Sequence, residues 1–211
     1  MLKTEYVHFS TREIRTRYIA DRYSDFPKGR ILDVGCDRCV LKSLLNDIEY
    51  IGIDIQGTPD IYHDLEKNPH LPFEDNSFDC VLCADVLEHP DNLHIVFEEL
   101  VRISRQYLII SLPNCWCAAR KRIERGKGAF THYGLPVEKP VDRHKWFFSL
   151  SQAKTFVEAQ KKNGISIIDM HATEKSRPSI VRFIRKLRYF KPEYYANRYA
   201  HTLWVLFSKK G

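Results

Sequence analysis
The 211-residue chain has no long hydrophobic run. Apolar stretches such as Tyr107–Ile110 and Leu203–Phe207 end after a handful of residues, far short of the ~20 needed to cross a bilayer. Glycine is scarce, nine in all, which excludes a collagen-like repeat, and 12% aromatic residues is too much to bury for a disordered chain. Residues 1–18 are charged throughout, so no secretory signal is expected. Internal repeats and low-complexity tracts are absent as well. The expectation is a soluble, intracellular protein of the cytoplasm, of a length that suits one domain (1–211) with a full core.

Acidic residues are what the second half lacks. The net charge is +6, but residues 1–112 hold 12 Lys/Arg against 20 Asp/Glu, whereas residues 113–211 hold 21 against 7. A split of this kind points to different partners for the two halves, the second favouring something anionic.

Six cysteines occur as Cys36-x-x-Cys39, Cys80-x-x-Cys83 and Cys115-x-Cys117. Cys80 and Cys83 fall in Phe78-Asp79-Cys80-Val81-Leu82-Cys83-Ala84, which reads as a buried strand. Residues three apart on a strand point to opposite faces and cannot share one tetrahedral metal. Reduced, mostly buried thiols are expected, and no metal.

From residue 30 short apolar runs alternate with amphipathic stretches, the pattern of a layered α/β fold. Strands are expected at 30–34, 50–54, 60–63, 78–83, 106–111, 165–170 and 202–208, seven in one sheet. Helices are expected at 10–23, 39–46, 91–104, 150–162 and 178–189. The first would be capped by Ser10 with Glu13 three residues on, opening an N-terminal helical segment (1–27). Between 113 and 148 the pattern lapses into a Lys/Arg-rich stretch with several Gly and Pro. A loop that long is uncommon inside a compact domain unless it is functional.

The chemistry centres on Ile31-Leu32-Asp33-Val34-Gly35-Cys36-Asp37-Arg38-Cys39. A strand ending in Gly lets backbone approach a ligand closely. A second strand, Tyr50-Ile51-Gly52-Ile53-Asp54, ends in an acid about 20 residues later, where a carboxylate can accept from both hydroxyls of a ribose. Three further stretches follow: Leu71-Pro72-Phe73-Glu74-Asp75-Asn76-Ser77-Phe78-Asp79, Ala84-Asp85-Val86-Leu87-Glu88-His89, and Ile110-Ser111-Leu112-Pro113-Asn114. In their order and spacing over residues 28–114, these resemble the class I S-adenosylmethionine-dependent methyltransferases of the type 11 group. The resemblance implies a Rossmann-like sheet of order 3-2-1-4-5-7-6 with the last strand antiparallel and helices on both faces. It implies S-adenosylmethionine as cofactor. Asp33 and Gly35 would shape its methionine end, Cys36 would join them in binding the cofactor, Asp54 would hold the ribose, and Ile55 would pack beside the adenine. Asp64 would meet the adenine amino group, while Ala84 and Asp85 would line the methionine moiety. Asp79 is expected to orient backbone instead. The family's Gly-x-Gly-x-Gly retains only its first glycine here. Asp37 and Cys39 replace the others, and Asp tolerates a left-handed backbone better than most residues.

A methyl transferred from a sulfonium carries its own leaving group, so the protein needs a base only if the acceptor enters protonated. His89 and His144 are the candidates for catalysis. In the 113–148 insert, which could cover the acceptor as a lid, His132, Tyr133, Arg143 and Trp146 are the candidates for acceptor contact. The acceptor expected is a small molecule or envelope precursor, a sugar or a lipid-linked glycan. Alternatives are RNA, tracked by Arg120-Lys121-Arg122 and Arg182, Arg185, Lys186 and Arg188, or no reaction, on a scaffold with a degenerate loop. In the last basic helix Ile180, Phe183, Ile184, Leu187 and Phe190 form an apolar stripe. It is expected to pack on the sheet, a membrane surface being the alternative.

Overall fold
The computed structural model describes residues 2–26, 28–126, 128, 132–140 and 142–209. Strand β1 (Lys3–Tyr6) leads to helix α1 (Arg12–Arg22), then to β2 (Gly29–Val34), β3 (Ile48–Asp54), β4 (Ile61–Tyr62) and β5 (Phe78–Ala84). Helix α2 (Leu93–Ile103), β6 (Ser104–Pro113) and α3 (Cys115–Glu124) follow, and after the insert α4 (Leu150–Ala159), β7 (Ile165–Glu174), α5 (Ser179–Arg188), α6 (Pro192–Tyr199) and β8 (Ala200–Lys209). The eight strands among the described residues form one sheet of order β4-β3-β2-β5-β6-β8-β7-β1. β8 runs antiparallel to both neighbours and the other pairings are parallel.

That is the expected 3-2-1-4-5-7-6 order with one strand more. β1 adds itself to the outer edge of β7, Lys3 opposite His171 and Tyr6 opposite Glu174. Four residues with two charges carry too little apolar alternation to announce a strand. Three other expectations need correction. Helix 39–46 is a 3₁₀ turn, Val40–Leu44, entered through a left-handed Cys39. The cap of α1 is Thr11, whose hydroxyl accepts from Ile14 N, not Ser10. The stretch after β6 opens with helix α3, capped by Asn114. Asn114 is buried, and its Nδ2 donates to the carbonyls of Asn197 (2.9 Å) and Ala200 (2.7 Å), tying α3 to α6 and β8.

The sheet is covered on both faces, as parallel strands require. Leu32, Val34, Ile53, Val81, Cys83, Leu108, Ile110 and Val205 meet Val96, Phe97 and Leu100 of α2 and Ala153 and Val157 of α4. Opposite them Ile31, Cys80, Leu82, Ile109, Trp204 and Leu206 meet Ile19 of α1 and Tyr23 just after it. Cys80 and Cys83 lie on opposite faces, and all six cysteines are free thiols. Asp79 accepts from Arg30 N (2.9 Å) at the far end of β5 and so orients backbone. No described helix is long and apolar enough to cross a membrane.

Candidate active site
The carboxyl ends of β2, β3, β5 and β6 open into one cleft of about 1420 Å³, the place where an open α/β sheet offers backbone N–H groups and loops to a ligand. Gly35 leaves β2 with φ +83°, and a Cβ there would run into Val86 Cγ2 from the loop after β5. The missing side chain keeps β2 and the β5 loop in contact. The next positions preserve the left-handed turns of a glycine loop without its glycines, Asp37 at φ +52° and Cys39 at φ +51°.

Asp54 holds that loop. Its Oδ2 accepts from Asp37 N (2.8 Å) and its Oδ1 from Ile55 N (2.6 Å) and Gln56 N (3.1 Å). Asp33 is buried beneath them, its Oδ2 accepting from the Tyr50 hydroxyl (2.6 Å). Burial raises its pKa to about 6, against the opposing pull of that hydroxyl and of Arg15. Cys36 turns its sulfur inward, next to that of Cys39 (3.3 Å) and over Gly52. Asp64 spends its carboxylate on its own turn, accepting from Glu66 N (3.0 Å) and Lys67 N (3.4 Å). Ile55, Ala84 and Asp85 line the cleft. Ser111 Oγ donates to Asp85 (2.6 Å).

Two cations from α1 enter the cleft that no motif announces. Arg12 pairs with Asp37 (2.9 Å) and Arg15 with Asp85.

At the end of β5 the insert returns across the cleft. Lys145 N (2.9 Å) and Trp146 N (3.3 Å) donate to the Glu88 carbonyl, and Trp146 Nε1 donates to the Pro90 carbonyl (2.9 Å). This strap delivers His144 beside His89, their ring centroids 4.5 Å apart, with His132 stacked on His144 at 4.5 Å. Asp142 Oδ1 lies 2.7 Å from His89 Nδ1, and the Tyr133 hydroxyl 2.8 Å from His144 Nδ1. Burial drives the His144 pKa down to about 3, helped by the neighbouring His89 and His132, so its ring is neutral. Burial raises Glu88 well above the carboxylate range, with Asp85 adding to it.

His89, His132, Arg143 and His144 therefore line the cleft with the proposed cofactor residues. Tyr133 stands one layer behind His144. Trp146 does not reach the cleft; it is partly buried against the core beside His94. Asp142 lies 53 residues from His89 in the chain, so no local spacing could link them.

A model of the family described as methyltransferase domain matches residues 6–168. The chain belongs to that family. It is an S-adenosylmethionine-dependent methyltransferase domain of class I fold. Over 74 residues it is 36% identical to the uncharacterised protein MJ0638 of Methanocaldococcus jannaschii. That match spans 32% of this chain and a third (33%) of the relative. Among solved structures, a SAM-dependent methyltransferase from Archaeoglobus fulgidus superposes with a TM-score of 0.59 at 16% identity, covering 94% of this chain and 95% of that one. The small RNA methyltransferase HEN1 superposes with a TM-score of 0.62 at 15% identity, covering 100% of this chain but 27% of its own.

The cleft fits the family's cofactor. The side-chain-free corner at Gly35 leaves room for close approach. The acids Asp33 and Asp85 suit a ligand that carries an ammonium and a sulfonium, and Asp54 sits at the tip of β3 with its carboxylate already oriented by three N–H groups.

Proposed function
We propose that the protein methylates a hydroxyl of a small or lipid-linked envelope precursor, met at an anionic amphiphilic surface. The observation that carries this reading is the orientation of α5. Its apolar stripe does not pack on the sheet, contrary to expectation. Ile180, Phe183, Ile184, Leu187 and Phe190 are each 57–79% exposed, and α5 contributes no residue to the core. The arginines turn inward instead: Arg182 lies over Tyr6 (4.2 Å), and Arg185 over Tyr199 (4.3 Å) with Glu174 3.3 Å away. Lys175, Lys186 and Arg188 stay exposed beside the stripe. α5 follows β7, which runs in the same sense as β5 and β6, so the helix leaves the sheet at the edge where the cleft opens. A contiguous apolar face rimmed by cations is the surface of a helix lying in a lipid interface. The same geometry weighs against the RNA reading, because Arg182 and Arg185, two of the cations that reading relies on, are turned onto aromatic rings and a buried carboxylate.

In this reading Asp54, Ile55 and Asp64 hold the nucleoside end of the cofactor, and Asp33, Gly35, Cys36, Ala84 and Asp85 the methionine end. The cofactor supplies a methyl group on a sulfonium that leaves as a neutral thioether. The protein aligns the acceptor, excludes water and removes a proton. His89 Nε2 takes the hydroxyl proton, with Asp142 fixing the ring through Nδ1. His132, Arg143 and His144 roof the acceptor end, with Tyr133 and Trp146 anchoring that roof, and the 113–148 insert acts as a cover on one methyltransferase domain.

Flotation tests the surface. The wild type should float with vesicles containing phosphatidylglycerol and stay down with phosphatidylcholine alone. Phe183→Glu/Leu187→Glu should partition at least tenfold less, since each large apolar side chain left in water costs about 1.5–3 kcal/mol, with an unchanged melting temperature. Equal flotation of both proteins, or salt-sensitive RNA binding without flotation, would remove this reading.

A further inference from the structure
Glu88, His89 and His144 each bring one ligand-capable atom to a common point in the cleft, all within 4.8 Å of one another. Glu88 Oε1 is 3.7 Å from His89 Nε2 and 3.8 Å from His144 Nε2. These separations are too long for hydrogen bonds. They are close to the roughly 3.4 Å between ligand atoms that each lie about 2.1 Å from one tetrahedral ion.

Two further features point the same way. Each imidazole has its other nitrogen engaged from behind, His89 Nδ1 by Asp142 (2.7 Å) and His144 Nδ1 by the Tyr133 hydroxyl (2.8 Å). In the tautomer that donates Nδ1–H outward, each ring leaves its Nε2 lone pair for the common point, the arrangement by which an outer carboxylate or hydroxyl orients a metal-binding histidine. Glu88 is 1% exposed, and its Oε2 has no hydrogen-bond partner among the described residues. Ionised, this side chain would be dry and unpaired, which is costly, and a cation at the common point would offset that cost.

We infer that Glu88, His89 and His144 bind a divalent transition-metal ion. Two imidazoles and one carboxylate suit Zn²⁺, Mn²⁺ or Co²⁺ and not Mg²⁺, which prefers an all-oxygen shell. Three protein ligands leave at least one position open to the cleft. Only the occupant of that position rests on the function proposed above: an acceptor hydroxyl. Bound to the ion, the hydroxyl loses its proton to water more readily. Its oxygen then forms the bond to the methyl carbon as the carbon–sulfur bond breaks with its electron pair going to sulfur. His89 would then serve as ligand instead of base.

The test is calorimetric titration of the chelator-stripped, full-length protein with Zn²⁺, Mn²⁺ and Mg²⁺, with the absorption bands of bound Co²⁺ read alongside. One ion per chain at micromolar affinity or tighter is expected for Zn²⁺, with Mg²⁺ the weakest. Glu88→Gln and His144→Gln should each weaken Zn²⁺ at least tenfold. Asp142→Asn should weaken it roughly 10- to 100-fold without touching the ion. S-adenosylmethionine affinity and melting temperature, measured on every variant, report folding. Absence of metal binding by a wild type that still binds S-adenosylmethionine, or unchanged affinity in the ligand variants, would overturn the inference and leave His89 as the base. Failure to bind S-adenosylmethionine would count against the cofactor site and not against the metal site.

Discussion

Gly35→Val should lower the melting temperature by roughly 5–15 °C and abolish cofactor binding. Two costs add at this position. A left-handed backbone costs an L-residue about 1–2 kcal/mol, more for a β-branched side chain, and Gly35 sits at φ +83°. The new side chain also has nowhere to go, because its Cβ alone would overlap Val86 Cγ2, and overpacking of this kind costs about 1–3 kcal/mol. For a protein of this size each kcal/mol moves the midpoint by about 2–4 °C. Differential scanning calorimetry reads the sum. Gly35→Ala with Val86→Ala separates the parts: the double variant removes the overlap and retains the backbone cost, so it should recover part of the stability. A Gly35→Val protein as stable as the wild type would show that the β2 corner is not built as described.

Asp33 should make both stability and cofactor binding depend on pH. Burial raises its pKa from 3.8 to about 6, so the folded protein binds this proton more tightly than the unfolded chain does. The group costs nothing below about pH 4. Its cost grows as pH rises through about 6, and above that the ionised, buried carboxylate costs about 3 kcal/mol. Asp33→Asn, which can still accept from Tyr50, should therefore gain about 2–3 kcal/mol on the wild type between pH 4 and pH 7.5 in urea unfolding. A cationic cofactor beside Asp33 favours its ionised form. Affinity for S-adenosylmethionine should then fall as pH drops below 6, by up to about tenfold per unit, and the Asn variant should show a flatter profile. Parallel stability profiles for the two proteins would contradict the buried, costly carboxylate.

The β2–β3 end of the candidate site is legible in the sequence because its contacts are local. Asp33, Gly35 and Asp54 lie at the ends of strands whose apolar runs mark those ends, and Asp54 acts on N–H groups within two residues or across one strand. The histidine end of the candidate site is only partly legible. His89 and His144 stand out as residues, but their partners Asp142 and Tyr133 come from a stretch without periodicity, and only the strap on the Glu88 carbonyl brings them in. Arg12 and Arg15 were invisible for the same reason: α1 reads as an amphipathic helix whatever its cations meet. α5 shows the limit most clearly. The spacing of Ile180, Phe183, Ile184 and Leu187 establishes an apolar stripe, but spacing cannot say whether that stripe or the arginines face the protein. Tyr6, Glu174 and Tyr199 decide it, from three distant parts of the chain. β1 and α6 escaped because one is four residues long and the other eight, too short for periodicity to emerge.

The most direct measurement is calorimetric titration of the wild type with S-adenosylmethionine and with S-adenosylhomocysteine, with Asp54→Ala beside it. The cleft predicts one site per chain for both ligands at micromolar affinity. Asp54→Ala should lose at least tenfold, because a charged hydrogen-bond acceptor is worth about 1.5–3 kcal/mol and the loop it braces at Asp37 N goes with it. A folded wild type that takes up neither ligand would contradict the account, and would mean that the Arg12–Asp37 and Arg15–Asp85 pairs hold the cleft shut.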